Sequence, residues 1–249
     1  MTERGARAPS WAAEERLPEA LAGCRACPRL ADHREAVARA RRASYRHETY
    51  WGRPVPGFGD PAARLVLLGL APGAHGSNRT GRQFTGDASG AVLFAALHRA
   101  GLADRPESVR RGDGLRLRGL WITAAARCVP PGNRPTRAEL ATCRPWLHGD
   151  LAALPHARAV LALGQVAHDA YLETLRDRGA KVVKARRKFA HGAVHRLDDD
   201  HPEAAALPLV DAYHVSFQNT NTGVLTPAML DSAIATAMRL AGLNDRRAE

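Results

Sequence analysis

The segment "RLVLLGLAPGAHGSNRTGRQFTGDASGAVLFAALHRAGL" (residues 64–102) decides the fold, because it runs from an apolar stretch through a glycine-rich loop into a helical pattern. Residues 64–70 are a short apolar run that predicts a buried strand. Residues 89–102 carry apolar side chains at helical spacing. The loop at 69–90 contains six glycines but only one aromatic residue, Phe84, and one acid, Asp87. This composition indicates a functional loop rather than a plain connection.

The alternation of strands and helices continues along the chain. Further apolar runs and helical patterns predict strands at 120–125, 157–164 and 209–216 and helices at 136–154, 164–179 and 226–243. Such alternation predicts an α/β fold, a three-layer α/β/α sandwich with a central, mostly parallel four-stranded sheet. The 249 residues fit a single domain over 1–249, with ragged termini at about 1–10 and 244–249.

Three loops follow predicted strands, at 71–88, 126–135 and 217–225. The carboxyl ends of parallel strands meet at one edge of a sheet, so we expect these loops to form one cleft. Asn133 lies between prolines that fix the backbone and aim its amide, although a simple turn residue is the alternative. After the last strand come short hydrogen-bonding side chains suited to a duplex groove or to phosphates: Ser216, Gln218, Asn219, Thr220 and Asn221.

The glycine-rich loop lacks both the Walker A pattern and the G-x-G-x-x-G order, which disfavours a nucleotide cofactor. Gly69, Gly73 and Gly76 would allow main-chain N–H groups to approach a flat ligand closely. Phe84 is then the candidate stacking platform, with a place in the core as the alternative. Asp87 precedes the helix, where an ordinary N-cap is the simplest interpretation.

The formal net charge of +11, from 36 basic and 25 acidic residues, favours a polyanionic partner such as nucleic acid. Composition alone favours equally an ordinary enzyme from an arginine-rich proteome. The N-terminal residues contain no apolar signal segment, and no charge-free apolar run reaches about 18 residues. We therefore expect a cytoplasmic protein with no membrane partner, acting as a monomer.

The chain has four cysteines, Cys24, Cys27, Cys128 and Cys143, in a C-x2-C pair followed at a distance by a C-x14-C pair. A reducing cytosol argues against disulfides. Four thiolates bind either Zn²⁺ or an iron–sulfur cluster, and the spacing does not decide between them.

These three loops and the cysteines together resemble the uracil-DNA glycosylase superfamily, most closely its family 5, the type B enzymes of bacteria and archaea. The resemblance extends from residue 24 to about 241. Residues 69–90 follow the first family motif almost throughout, and 214–230 follow the last. "PPGNRPT" at 130–136 is similar to a loop shared by families 4 and 5, and "KFAHG" at 188–192 also resembles a family feature.

The chain departs from the family pattern at two places. Family 5 commonly has proline at the position of Val215 and often at the position of Phe217. The rigid loop and the DNA-wedge geometry that these prolines give the family therefore do not carry over to this chain. Leu70 and Ala71 occupy the place where other families of the superfamily carry a water-activating acid or a glutamate.

The resemblance implies a monofunctional DNA glycosylase that flips uracil, and other deaminated bases such as hypoxanthine, into a pocket. It implies hydrolysis of the N-glycosidic bond through an oxocarbenium-like transition state, the first step of base excision repair. Asp87 would stand near the sugar cation and the attacking water, Asn133 would position that water or the base, and His214 would donate to the base carbonyl.

The resemblance also implies roles for further residues. Gly69, Ala71, Pro72, Gly73, Phe84 and His191 would line the base pocket, and His75 would join Ser216, Gln218, Asn219, Thr220 and Asn221 in binding DNA. A structural [4Fe-4S] cluster, rather than Zn²⁺, would be held by Cys24, Cys27, Cys128 and Cys143.

Two other functions stay open at this point. One is a non-catalytic iron–sulfur protein that binds nucleic acid on the same fold, and the other is an iron–sulfur redox or sensor protein. Release of a base from damaged DNA would separate the enzyme from both. The motif loops contain no lysine nucleophile, so lyase chemistry is not expected.

Overall fold

The computed structural model describes residues 19–197 and 206–243, so the predicted ragged termini lie outside the described residues. The helices are α1 (Glu19–Ala22), α2 (Pro28–Ala40), α3 (Ser77–Thr80), α4 (Ala88–Arg99), α5 (Arg137–Ala152), α6 (Gln165–Asp177), α7 (Phe217–Asn221) and α8 (Pro227–Ala241). The strands are β1 (Phe58–Gly59), β2 (Leu65–Gly69), β3 (Leu120–Ala124), β4 (Ala159–Leu163), β5 (Val194–His195) and β6 (Leu209–Ala212).

The described strands form one six-stranded sheet in the order β1-β3-β2-β4-β6-β5. The four central strands are parallel neighbours, as the sequence predicts, whereas β1 and β5 join the two edges antiparallel. The prediction of four strands is therefore corrected to six. Each edge strand has only two residues, too few to show any periodicity in sequence.

Helices cover both faces of the sheet, which confirms the three-layer α/β/α architecture. On one face α4 and α8 enclose a core that includes Leu67, Phe94 and Ile234, and on the other α5 and α6 enclose a core that includes Val66 and Tyr171. The central strands β2 and β4 are buried on both faces, as expected for strands in a covered parallel sheet.

Local sequence explains where the main helices begin. Thr136 and Glu139 form a capping box at the start of α5, and Thr226 caps α8 with Pro227 at its first position. The sequence analysis did not predict α2, whose buried face consists only of Leu30, Ala31 and Arg34. No helix in the described ranges has both the length and the apolar character needed to cross a bilayer.

Candidate active site

An open cleft of about 730 Å³ lies at the carboxyl ends of the central strands, where the three predicted loops meet. Its lining comes from the segments after β2, β3 and β6 and from Arg42. The lining residues are Arg42, Leu70, Ala71, Gly73, Ala74, His75, Gly76, Ser77, Gln83, Phe84, Asp87, Ala88, Ser89, Gly132, Asn133, Arg134, His214, Ser216, Phe217 and Gln218. The structure thus brings Asp87, Asn133 and His214 into one cleft.

Asp87 is both a helix cap and a lining residue of the cleft. Its Oδ1 accepts a hydrogen bond from the Gly90 N–H at 2.9 Å, so the N-cap interpretation is correct. Its Oδ2 faces the backbone of Gly73 and Gly76. Burial raises the pKa of Asp87, although backbone N–H groups at the start of α4 and the charge of Arg79 oppose the shift. Capping therefore uses only one oxygen of the Asp87 carboxylate, and the other faces the loop that lines the cleft.

The loop glycines make room for Asp87 and Phe84. A Cβ atom on Gly76 would lie 1.9 Å from Asp87 Oδ2, and one on Gly73 would lie 2.9 Å from the same atom. A Cβ atom on Gly69 would lie 2.6 Å from Phe84 Cζ. The sequence analysis assigned these glycines to close approach by a flat ligand, whereas the structure shows that the side chains of Asp87 and Phe84 already occupy the space.

Replacing Gly76 by Ala should lower the rate of the base release that the family resemblance implies about ten-fold, which corresponds to about 1.4 kcal/mol of barrier. The new methyl group collides with Asp87 Oδ2, so the carboxylate must move away from its present position. Single-turnover base release measures the effect. Gly101→Ala is the control, because open space surrounds this glycine and it lies outside the cleft lining, so its φ of +74° imposes backbone strain on alanine without any change in the cleft. Equal losses of activity in both variants would contradict this explanation.

Phe84 lies at the boundary between the core and the cleft. Its side chain belongs to the core beneath α4 and α8 and also lines the cleft, with its ring centroid 6.1 Å from that of His214. Its backbone has φ +51°, in the left-handed region that bulky residues avoid. Such a conformation costs about 1–3 kcal/mol and persists where the surroundings enforce it, as they do at many functional sites.

His214 follows β6 and presents unused ring nitrogens to the cleft. Its backbone carbonyl accepts a hydrogen bond from Asn219 Nδ2 at 2.9 Å, which fixes the turn into α7. Among the residues that the structure describes, none forms a hydrogen bond with either ring nitrogen. Burial lowers the pKa of His214, so the imidazole is neutral near pH 7. A neutral imidazole can donate one hydrogen bond to a ligand there.

Asn133 reaches the cleft through an unusual turn. Gly132 and Asn133 have φ values of +60° and +57°, and asparagine tolerates this left-handed conformation better than most residues. The turn spans Pro131–Asn133 and is followed by Pro135. The prolines therefore hold the exposed Asn133 in place at the cleft.

The remaining predicted pocket residues divide into two groups. Ala71 and Gly73 line the cleft, whereas Gly69 lies within β2 behind Phe84 and Pro72 is buried outside the lining. The structure also does not place His191 in the lining. Its Nδ1 accepts a hydrogen bond from the Tyr213 N–H at 3.1 Å, and its ring packs on Tyr213 with centroids 5.0 Å apart.

Buried hydrogen bonds around Asp211 hold the segment "KFAHG" (residues 188–192) away from the cleft. Asp211 accepts from His168 Nδ1 and His195 Nε2, both at 2.8 Å, and from the Ala190 N–H at 3.3 Å. His168 Nε2 donates to the Arg187 carbonyl at 2.8 Å. Burial opposes protonation of His168, but the bond to Asp211 raises its pKa. These contacts hold the segment against β6, beside Tyr213 rather than in the cleft.

Most of the predicted DNA-binding side chains after His214 are used within the protein. Residues 217–221 form the short helix α7 rather than a loop. Ser216 caps this helix, Asn219 bonds to the His214 carbonyl, and Thr220 donates to the Ser216 carbonyl. Ser216 and Gln218 also line the cleft together with His75, whereas Asn219, Thr220 and Asn221 do not.

The structure adds cleft residues that the sequence analysis did not single out. Gln83 and Arg134 lie inside the two quoted motifs, so their position next to Phe84 and Asn133 was a usable signal. Arg42 follows α2, far from every motif, and nothing in the sequence pointed to it.

The four cysteines line a second, small cavity between the N-terminal helices and the core. Arg34 Nη1 donates to Cys128 Sγ at 2.9 Å, and the Arg127 N–H donates to Cys143 Sγ at 3.3 Å. Arg34 Nε and Arg127 Nε and Nη1 are buried without a hydrogen-bond partner. Donors of this kind beside four sulfurs fit an anionic group in the cavity.

The distances between the cysteine sulfurs can be compared with those around a single zinc ion. Within the described part of the chain, no three cysteine sulfurs lie within 4.8 Å of one another. A single zinc ion, with Zn–S bonds of about 2.3 Å, would hold tetrahedral sulfur ligands about 3.8 Å apart. The sulfurs are therefore not arranged around a single zinc ion, whereas the chemistry of the site, four thiols beside unpaired arginine donors, suits an anionic group held by all four.

Comparison with known proteins identifies the family to which the sequence is similar. Residues 56–237 match the family model described as "Uracil DNA glycosylase superfamily". The chain is 51% identical over 229 residues to "Type-5 uracil-DNA glycosylase" of Thermus thermophilus, covering 92% of this chain and 99% of that protein. It is 51% identical over 221 residues to the protein of the same name from Mycobacterium bovis, covering 88% of this chain and 79% of that protein.

The resemblance to the type-4 enzymes is weaker. A "Type-4 uracil-DNA glycosylase" of Pyrobaculum aerophilum is 34% identical over 146 residues, covering 58% of this chain and 66% of that protein. A type-5 protein of the same organism is 45% identical over 222 residues, covering 89% of this chain and 91% of that protein. The chain belongs to the uracil-DNA glycosylase superfamily and, within it, to the type-5 family of DNA glycosylases.

Proposed function

We propose that this protein hydrolyses the N-glycosidic bond between uracil and deoxyribose in DNA and leaves an abasic site. The observation that carries the proposal is the convergence of Asp87, Asn133 and His214 on one open cleft. The names of its relatives, type-5 uracil-DNA glycosylases, support the substrate. The net charge of +11 supports a DNA partner, because basic surfaces attract the phosphate backbone.

The residues of the cleft suit a reaction that separates charge. Breaking the glycosidic bond builds positive charge on the sugar and negative charge on the departing base. Asp87 as a carboxylate stabilises the sugar cation and receives a proton from the water that attacks C1′. His214 donates a hydrogen bond to the base oxygen as negative charge develops there, which favours the transition state over the ground state. Asn133 positions the water or the base.

Hydrolysis, rather than lyase chemistry, fits the lining of the cleft. A lyase requires an amine nucleophile that forms a Schiff base with the sugar. The part of the lining that the structure describes contains Arg42 and Arg134 but no lysine. The expected product is therefore an intact strand with an abasic site, which breaks only after treatment with alkali.

The cleft also favours more than one substrate. Strong rejection of a wrong base, by a factor of about 10⁴ or more, requires buried polar groups that the wrong base would leave unpaired. The loop after β2 contributes Leu70, Ala71, Gly73, Ala74 and Gly76 to the lining, side chains that offer no hydrogen bond to a base, and the cleft volume of about 730 Å³ accommodates a purine. We therefore propose hypoxanthine and other deaminated bases as further substrates.

A panel of duplexes tests both parts of this proposal. Each duplex carries uracil, hypoxanthine or an undamaged base, and strand breakage after mild alkali reports base release. Release of uracil and hypoxanthine is the expected result. Release of uracil alone would contradict the broad specificity. Binding to DNA with no release of any base would instead favour the non-catalytic binding protein.

Phe217 is the candidate side chain for opening the duplex. It is 68% exposed, lies at the rim of the cleft, and stands where the family often has proline. An exposed apolar side chain beside a DNA cleft suits insertion between base pairs, which offsets the cost of flipping.

Phe217→Ala should slow release from duplex DNA about ten-fold and release from single-stranded DNA much less, because a single strand needs no wedge. Val109→Ala is a matched control, since Val109 is also exposed but lies outside the cleft lining. Equal losses on the two substrates would show that Phe217 does not act by opening the duplex.

We further propose that Cys24, Cys27, Cys128 and Cys143 hold a [4Fe-4S] cluster. The four thiols that line one cavity and the unpaired donors of Arg34 and Arg127 support it. The cluster would tie the residues before α2 to the loop after β3 and to α5. Its role is structural, because hydrolysis of a glycosidic bond transfers no electrons.

Cys143→Ser should remove most of the iron and lower the melting temperature by more than about 5 °C. Elemental analysis of iron and zinc, together with the visible absorption of the purified protein, measures occupancy without reference to activity. Thr142→Ser is a control that changes the preceding residue and leaves all four thiols intact. One zinc and no iron per chain in the unmodified protein would overturn the cluster assignment.

A further inference from the structure

We propose that Tyr50 is a positioning residue that fixes His75 as the Nε2–H tautomer, so that this ring donates a hydrogen bond to an oxygen of the nucleotide bound in the cleft. The identity of that nucleotide rests on the proposed function, whereas the tautomer does not. No motif contains Tyr50, which lies in the irregular segment between α2 and β1.

The contacts of the Tyr50 hydroxyl determine where its proton goes. Tyr50 is 6% exposed, and its hydroxyl oxygen accepts a hydrogen bond from the Arg42 N–H at 3.3 Å. The same oxygen lies 3.0 Å from His75 Nδ1. A hydroxyl group has one proton to donate, and His75 Nδ1 is its only acceptor among the described residues. In the proposed arrangement Tyr50 donates to Nδ1, which is then the unprotonated nitrogen.

The surroundings of His75 keep its ring neutral. Burial lowers the pKa of His75, and the positive charges of Arg42 and Arg79 lower it further. A neutral imidazole that accepts at Nδ1 carries its proton on Nε2. Within the described residues Nε2 has no hydrogen-bond partner, and His75 lines the cleft. The donor is thus free for a ligand.

Three further contacts hold His75 and Tyr50 in this arrangement. The rings of Tyr50 and His75 meet edge to face, with centroids 6.0 Å apart at an interplanar angle of 76°. Arg79 Nε donates to the His75 carbonyl at 2.7 Å, and Arg79 Nη2 donates to the Gly86 carbonyl at 2.8 Å. Arg79 therefore ties the backbone of His75 to the turn before Asp87. The donor on His75 is held in a fixed place relative to that carboxylate.

Nitrogen-detected NMR of the DNA-free protein tests the tautomer directly. In the unmodified protein the His75 ring should show a protonated Nε2 and an unprotonated Nδ1. In Tyr50→Phe the pKa of His75 should rise, because the hydroxyl no longer stabilises the unprotonated nitrogen. This readout does not depend on glycosylase activity, so its failure is distinguishable from failure of the proposed function. An unchanged His75 titration in Tyr50→Phe would overturn the proposal.

A double-mutant cycle tests whether Tyr50 acts through His75. Tyr50→Phe should slow single-turnover base release about five-fold, and His75→Ala at least as much. In the His75→Ala background, Tyr50→Phe should have no further effect, because its partner is absent. Tyr171→Phe is the matched control, since it also removes a buried hydroxyl bonded within the protein, to the Leu207 carbonyl, outside the cleft lining. Additive losses in the cycle would overturn the proposal.

Discussion

Asp87→Asn should reduce the rate of uracil release by about 100-fold or more, equivalent to about 2.7 kcal/mol of barrier, without lowering the melting temperature. Asparagine keeps the side-chain oxygen that accepts from the Gly90 N–H, and it caps helices about as well as aspartate. The substitution removes only the negative charge beside Gly73 and Gly76. This variant therefore separates the two roles of Asp87 that the sequence could not separate.

The sign of the stability effect follows from the pKa of Asp87. Burial raises this pKa, so the folded protein binds the proton more tightly than the unfolded chain does. The protonated carboxyl therefore contributes stability that is complete below the unfolded pKa and is lost as pH rises through the raised pKa. At neutral pH the buried charge costs stability. Asp87→Asn avoids this cost, so its melting temperature should equal or exceed that of the unmodified protein.

The pH profile gives a second measurement on the same residue. If the carboxylate is the active form, the rate should fall on the acid side at a pH above the ordinary aspartate pKa. Asp87→Asn should lose this dependence together with its activity. Asp87→Ala serves as the comparison, because it removes both the cap and the charge and should melt at a lower temperature. Full activity in Asp87→Asn would show that Asp87 is only a helix cap.

The parts of the fold that could be predicted from sequence are those with enough residues to show a period. The apolar run at 64–70 and the helical pattern at 136–154 predicted β2 and α5, because several residues in each segment repeat the same signal. The edge strands β1 and β5, with two residues each, carry no such signal. Their pairing depends on tertiary contacts that only the folded chain provides.

In the candidate site, too, some features could be predicted from the sequence and others depend on tertiary contacts. The loops containing Asp87, Asn133 and His214 could be assigned to one cleft because parallel strands place their carboxyl ends together. The purpose of Gly76 could not be assigned, because its requirement comes from Asp87, eleven residues along the chain. His191 looked suitable for the pocket from its motif, but the pairing of Asp211 with Ala190 holds the segment beside Tyr213.

His214→Ala should lower the rate of base release by about 100- to 1000-fold, the usual cost of removing one donor that faces developing negative charge. The His214 ring lies beside Phe84, and its nitrogens are not used by the described residues, so the protein keeps this donor for the ligand. Removing the ring leaves the Asn219 bond to the backbone carbonyl in place, so the turn into α7 should survive. His156→Ala, which changes an exposed histidine outside the cleft, is the control.

The pH dependence of the unmodified protein decides which form of His214 acts. Burial lowers its pKa below the ordinary histidine value, so the neutral imidazole predominates at pH 7. If the neutral ring donates to the base, the rate should not decline between about pH 6 and pH 8 through loss of a proton from His214. If the imidazolium were required, the rate would fall across that range and the fall would disappear in His214→Ala. A flat profile together with a large loss in His214→Ala would therefore assign transition-state stabilisation to a neutral donor, whose hydrogen bond strengthens only as the base becomes an anion.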